Sequence, residues 1–143
     1  MSDKNMNMKV ELKDNSPEVL AALQNAIGRA LFAIGEEAET YAKETIKNSG
    51  RVDTGNLMNS INHQEGDDFV AVGTSVKYAI WHEVGTGIYA EDGNGRKSPW
   101  AFKDSKGEWH YTKGIKPLHF IQNSITEHTN RYKDLLRESL ENA

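Results

Sequence analysis

The chain has 143 residues, no cysteine and a net charge of −4, from 21 acids against 17 bases. One domain of ordinary size is expected, with no disulfide framework, thiolate metal site or cysteine nucleophile open to it. The acidic balance gives no general attraction to a phosphate backbone, and no apolar run approaches the roughly 18 residues of a spanning helix or export signal, so action in the cytosol is the default expectation.

The polar residues 1–15 read as a flexible N-terminal segment, and 16–143 as the single domain. Ser16-Pro17-Glu18 is a helix start: a hydroxyl to cap free amides, a Pro where no amide is needed, and an acid at the positive helix end. From there Leu20, Leu23, Ile27, Ala30, Leu31, Ile34, Ala38, Tyr41, Ala42, Thr45 and Ile46 recur at steps of three and four. The spacing predicts one long amphipathic helix ending near Ser49-Gly50. Gly28 and Gly35 inside it read as close packing, a bend or simple tolerance.

Asp53-Thr54-Gly55 is the next cap-like signal, and Leu57, Met58 and Ile61 suit a short helix that hands over to an extended segment. A break at Gly66-Asp67-Asp68 precedes Phe69 to Gly73, whose β-branched and aromatic content predicts a strand, so the two extended pieces form an antiparallel pair. Tyr78 to Val84 is predicted as one or two helical turns with Tyr78 and Trp81 near the body, stopped by Gly85. Residues 86–99, rich in Gly and charge, read as a flexible loop. Trp100 to Lys103 and Glu108 to Thr112 then flank a four-residue turn, which predicts a β-hairpin. In each arm the aromatics fall two apart, Trp100 with Phe102 and Trp109 with Tyr111, so each arm sets its rings on one face, to bury against the body or meet another chain. From Leu118 onward Ile121, Ile125, His128, Tyr132, Leu135, Leu136 and Leu140 predict a second amphipathic helix of about 24 residues. The fold class is α+β: two helices packed on a small, mainly antiparallel sheet, with residues 86–115 as a projecting loop and hairpin. A long excursion of this kind in a small domain signals contact with partners.

Tests for chemistry return nothing firm. His82-Glu83 begins a zinc-protease motif, but the second His would stand at position 86, which is Thr86 behind the helix-breaking Gly85. The remaining histidines are scattered, so no metal is expected. Gly85-x-Gly87 and Gly93-x-Gly95 lack the strand-to-helix context of a phosphate cradle, Asp92-Gly93-Asn94 is followed by Arg96 and Lys97 where a calcium loop needs acids, and no Ser sits in a nucleophile elbow. No catalytic residue and no cofactor is assigned. Charge is unevenly placed: residues 86–116 hold six bases and four acids, a balance of +2, which leaves −6 on the rest of the chain. That pattern fits docking on an acidic partner, passing contact with DNA, or a solvated loop.

Three stretches taken in order carry a resemblance. Arg51-Val-Asp-Thr-Gly-Asn-Leu-Met-Asn-Ser-Ile61 resembles a "TGxLxxSI" signature through Thr54, Gly55, Leu57, Ser60 and Ile61. Tyr78-Ala-Ile-Trp-His-Glu-Val-Gly-Thr-Gly87 resembles "YAxxxExGT" through Tyr78, Ala79, Glu83, Gly85, Thr86 and, just beyond, Gly87. Lys116-Pro-Leu-His-Phe-Ile121 resembles "KPxPFL" through Lys116, Pro117 and Phe120, with His119 where a second Pro is usual and Val84 where an aromatic is common. Together with the long helix before them they cover about residues 16–135 and are similar to the gene-product-ten-like tail-component family of long-tailed phages. The resemblance implies a non-enzymatic virion protein of tail completion or head-to-tail joining, made in the host cytoplasm. It would form a ring, of six subunits, between the head connector or stopper and the tail tube or terminator, with DNA passing through the lumen and no membrane involved. Trp100, Phe102, Trp109, Tyr111, Arg96 and Lys97 are then the candidate interface residues. The alternatives are a small cytosolic enzyme using Glu83, His82 and His110 as acid–base groups, and an adaptor for a host protein. Within the resemblance Glu83 caps or pairs to hold the corner from which the excursion leaves.

Overall fold

The computed structural model describes residues 17–51, 55–104 and 106–143. The segment 1–15, the Ser16 cap and the Asp53-Thr54 cap signal lie outside them. The apolar stripe folds as one helix of 32 residues, α1, Pro17–Asn48. Its buried side is Ala26, Ala30, Leu31, Ile34, Gly35, Ala38, Ala42 and Ile46, six residues of the predicted stripe with Ala26 and Gly35 added, while the stripe's Leu20, Leu23, Ile27, Tyr41 and Thr45 are half-buried. Those small residues let other elements approach closely. A Cβ on Gly35 would stand 2.4 Å from the His63 ring and 2.9 Å from Val70, so this glycine marks close packing, whereas a Cβ on Gly28 would meet nothing.

α2, Gly55–Ser60, leads into β1, Asn62–Glu65, which pairs antiparallel with β2, Val70–Gly73, in the register His63 to Val72 and Glu65 to Val70. α3, Ala79–Val84, a 3-10 turn at Gly87–Tyr89, and β3, Trp100–Lys103, paired with β4, Trp109–Thr112, follow. The strands form two separate two-stranded sheets. The first lies on α1, and the second makes its main contacts within itself.

The C-terminal stretch is not one helix of 24 residues. It is α4, Phe120–Thr126, and α5, Thr129–Glu141, broken at Glu127 and His128. The cause is tertiary. In a continuous helix the Ser124 carbonyl would accept the His128 amide, but it accepts the buried Tyr132 hydroxyl instead, while the His128 ring stacks on Tyr41 with centroids 3.4 Å apart. Both helices lie along α1, with Ser139 donating to the Ala26 carbonyl at 2.6 Å and Arg131 meeting Glu37 at 3.0 Å.

Two apolar clusters hold these elements. Ala42, Ile46, Leu57, Ile61, Ala79 and Phe120 form one, and Ile34, Ala38 and Tyr132 with Tyr41, Val70 and Val72 form the other. Each fully buried Leu, Ile or Phe contributes roughly 1.5–3 kcal/mol by leaving water. Trp81, placed near the body by its sequence setting, is 57 % exposed together with Ile80, because the one buried face of α3 is taken by Ala79.

Candidate functional site: a motif corner and an aromatic hairpin

The three motif stretches meet at one corner, and Glu83 is its centre. The Glu83 side chain projects from α3 so that Oε1 accepts the Ile121 amide and Oε2 the Gln122 amide, each at 2.9 Å. Those are two of the amides that the first turn of α4 leaves without a helical partner, so a carboxylate from a different helix caps α4 at its positive end. The cap side chain of α4 itself supplies no such bond. Backbone bonds fasten the same junction: Leu118 donates to the His82 carbonyl at 2.7 Å and His119 to that of Glu83 at 3.2 Å.

Arg51 joins the first motif to the other two. Its guanidinium donates to His82 Nδ1 at 2.9 Å and to the Lys116 carbonyl. A donor on Nδ1 requires that nitrogen to be unprotonated, so His82 is neutral with its proton on Nε2. Burial, and then the Arg51 charge, push the His82 pKa below its ordinary 6.5. Burial likewise lowers the Arg51 guanidinium from its usual value. Leu57 and Ile61 sit in the core beneath with Ala79 and Phe120, while Ser60 shares a hydrogen bond of 2.5 Å with Thr74. Thr54 lies outside the described residues, and Gly55 is exposed at the start of α2.

His119 stands where the motif usually carries Pro, and its backbone has φ +53°, the one positive φ of a non-glycine among the described residues. Proline is locked near −65° and has no amide to give, so neither this conformation nor the bond to Glu83 is open to it. The His119 ring instead reaches Glu91 at 2.5 Å, tying the corner to the loop.

The loop leaves through glycines. Gly85 ends α3 with φ +83°. Thr86 then donates to Ile115 at 3.0 Å and Ile88 to Lys113 at 3.1 Å, and the Thr86 hydroxyl accepts the Ile115 amide at 3.0 Å. Where the outgoing and returning chains cross, a Cβ on Gly87 would fall 1.9 Å from the Lys113 carbonyl oxygen and one on Gly114 2.1 Å from that of Thr86. The first part of the 86–99 loop is therefore fastened to the returning chain. Pro117 packs beside Gly85, and Lys116 lies over the Tyr89 ring at 5.8 Å.

Beyond the crossing stands the hairpin. Its register, Ala101 to Tyr111 and Lys103 to Trp109, puts the two arms' rings on opposite faces. On one face Phe102 stacks on His110 at 5.4 Å, and Arg96 lies over Trp100 at 5.7 Å. On the other, Trp109 is 69 % and Tyr111 84 % exposed. Lys97 donates to the Gly93 carbonyl at 2.8 Å. At the turn Asp104, Glu108 and His110 bring ligand atoms within 4.8 Å of one another, but Asp104 serves the turn. It accepts the Lys106 and Glu108 amides at 2.9 and 2.8 Å and meets His110 Nε2 at 2.7 Å. The His110 bond, then the backbone amides, hold the Asp104 carboxyl below its ordinary value.

A family model described as "Bacteriophage HK97-gp10, putative tail-component" matches residues 11–93. The chain belongs to this HK97-gp10-like family. The match contains α1, both strands of the first sheet and the first two motif stretches, and it stops inside the loop, short of the hairpin. No curated protein and no solved structure matches. For this member of a phage tail-component family, Arg51 and His119 are the corner residues that motif reading passed over. Arg51 lacked any local pattern, since its partners lie 31 and 65 residues away. The signal for His119 was the missing Pro.

The groups of an acid–base reading are separately engaged. Both Glu83 oxygens cap α4, His82 accepts from Arg51, and His110 is held at the hairpin turn by Asp104. Among the described residues no helix is long and apolar enough to cross a membrane.

Proposed function

We infer that this tail component acts in tail completion and head-to-tail joining, as a hexameric ring at the neck between the head connector or stopper and the tail tube or terminator. The observation that carries the reading is the contrast between a fastened corner built from the family motifs and an aromatic hairpin held away from it with Trp109 and Tyr111 in solvent. Large exposed rings are costly to leave in water and are the residue types that dominate interface energies, so a surface of this kind fits assembly. Head-to-tail contact between subunits closes a ring, and the basic excursion, with Arg96, Lys97, Lys103 and Lys106, faces either the acidic body of a neighbour or DNA passing through the lumen. The role is structural, not enzymatic.

The test is joining in vitro. Filled heads and finished tails from a phage lacking this protein are expected to stay separate and to join when the purified protein is added; joining without it overturns the reading. Trp109→Ala is expected to leave stability within about 0.5 kcal/mol of the parent, because the ring has little to lose by truncation in solvent, and to cut joining at least tenfold. Joining at the parent rate by a folded Trp109→Ala protein overturns the interface role.

A further inference from the structure

The two faces of the β3–β4 hairpin are unequal, and the difference points to an occupant. The Trp100 and Phe102 face is partly satisfied within the chain by Arg96 and His110. The face of Ala101, Lys103, Trp109 and Tyr111 has no ring partner among the described residues, and all four residues are exposed. Lys103 and, at the turn, Lys106 are in no ion pair among the described residues. This face is therefore aromatic with Lys103 as its one charge, and at the turn beside it Asp104 is engaged by the Lys106 and Glu108 amides and by His110, leaving Lys106 and Glu108 exposed.

A surface of opposite charge and like apolarity exists elsewhere on the same chain. The turn joining β1 to β2 carries Glu65, Asp67 and Asp68, all exposed and none ion-paired among the described residues, beside Phe69, which is 57 % exposed with its ring laid over Gly66. Phe69 is not a member of either core cluster among the described residues. It is thus an exposed ring on the same turn as three exposed acids, the complement of exposed rings beside Lys103.

Resting on the assembly reading above, we propose that the β3–β4 hairpin of one copy docks its Trp109 and Tyr111 face on the β1–β2 turn of the next copy, with Lys103 and Lys106 set against Glu65, Asp67 and Asp68 and the rings against Phe69. The donor and acceptor patches are different surfaces of one chain, so the contact is head-to-tail and each copy can give one hairpin and receive one. The balance of +2 on residues 86–116 against −6 on the remainder favours the same direction of pairing. Covering Phe69, Trp109 and Tyr111 together removes three of the most exposed large side chains from water.

The absence of cysteine makes the test clean, since any disulfide comes from introduced thiols. Ala101→Cys lies on the hairpin face with the aromatics kept, and Asp68→Cys lies on the turn; both positions are exposed, so the fold tolerates them. Oxidising the two full-length variants mixed at high concentration is expected to give a cross-linked heterodimer at least tenfold above either variant alone. A homodimer of Ala101→Cys at equal yield overturns the proposal in favour of symmetric hairpin pairing, and no cross-link overturns it outright. As a second arm, Lys103→Glu is expected to lower the cross-link at least fivefold and Asp67→Lys on the other chain to restore it; a Lys103→Glu effect that no turn reversal restores overturns the charge pairing. Cross-linking without head–tail joining sinks the neck function and keeps this contact, whereas joining without cross-linking does the reverse.

Discussion

Glu83 shows how one side chain converts a sequence motif into a rigid corner. A carboxylate that caps two amides of another helix contributes about 1–2 kcal/mol, the upper part of the capping range, because its charge also faces the helix dipole. Glu83→Ala is expected to lower unfolding free energy by that amount in chemical denaturation, with Glu83→Gln losing roughly half; an unchanged midpoint for the Ala variant means the cap carries no weight. His82 adds a pH dependence whose sign is set by its depressed pKa. Between the folded pKa and 6.5 the unfolded chain binds the proton more readily, so this stability is complete above 6.5 and drains away as pH falls through it. His82→Gln keeps an acceptor for Arg51 but does not titrate. The stability difference between parent and variant is therefore expected to move against the parent from pH 7.5 to pH 5.5, and a difference flat in pH removes His82 from the account. The corner role of Glu83 was legible from its place in the motif; that of Arg51 was not, because a single charged residue gives no hint of partners so distant in sequence.

Among the elements, periodicity located α1, the Gly85 stop located α3 and turn chemistry located both hairpins, since these signals are local. The break between α4 and α5 was hidden because Ile121, Ile125, His128 and Tyr132 keep helical spacing straight across it. What parts the helices is a hydroxyl from α5 taking a carbonyl of α4, a contact that exists only once Tyr132 is buried. Burial also raises the Tyr132 pKa, so the hydroxyl stays protonated and donating at any physiological pH. Tyr132→Phe is expected to cost about 1–2 kcal/mol and to lengthen α5 toward its N-terminus as Ser124 turns to the His128 amide. Loss of stability with unchanged amide exchange at His128 contradicts this account of the break. Trp81 was misplaced for a related reason: six residues give too short a helix for periodicity to say which side is inward.

At the scale of the whole molecule, burial and exposure divide unevenly along the chain. The described core is drawn from α1, α2, the first hairpin region, α3 and the C-terminal helices, while most of the large exposed rings lie on the outer side of α3 and beyond Gly87, with Phe32 on α1 and Phe69 at the β1–β2 turn apart from them. The family match has the same boundary, ending at residue 93 before β3 begins. Sequence reading found the exposed hairpin through its spacing of aromatics, but only the cross-strand register revealed that its two arms present opposite faces.

The glycine crossing has a consequence for how such a chain can change. Because Thr86 and Ile88 are bonded to Ile115 and Lys113, the outgoing and incoming strands of the excursion pass through the body side by side. Everything between them is a cassette with a closed seam. Doubling the length of a closed loop costs only about 0.6 kcal/mol, so a cassette can grow, shrink or be exchanged while the seam holds. Replacing residues 91–111 by a short Gly-Ser turn is accordingly expected to leave a body that unfolds within about 1–2 kcal/mol of the parent and no longer joins heads to tails. Such a seam lets the enclosed stretch of chain change in length and sequence while the scaffold that positions it keeps its own bonds.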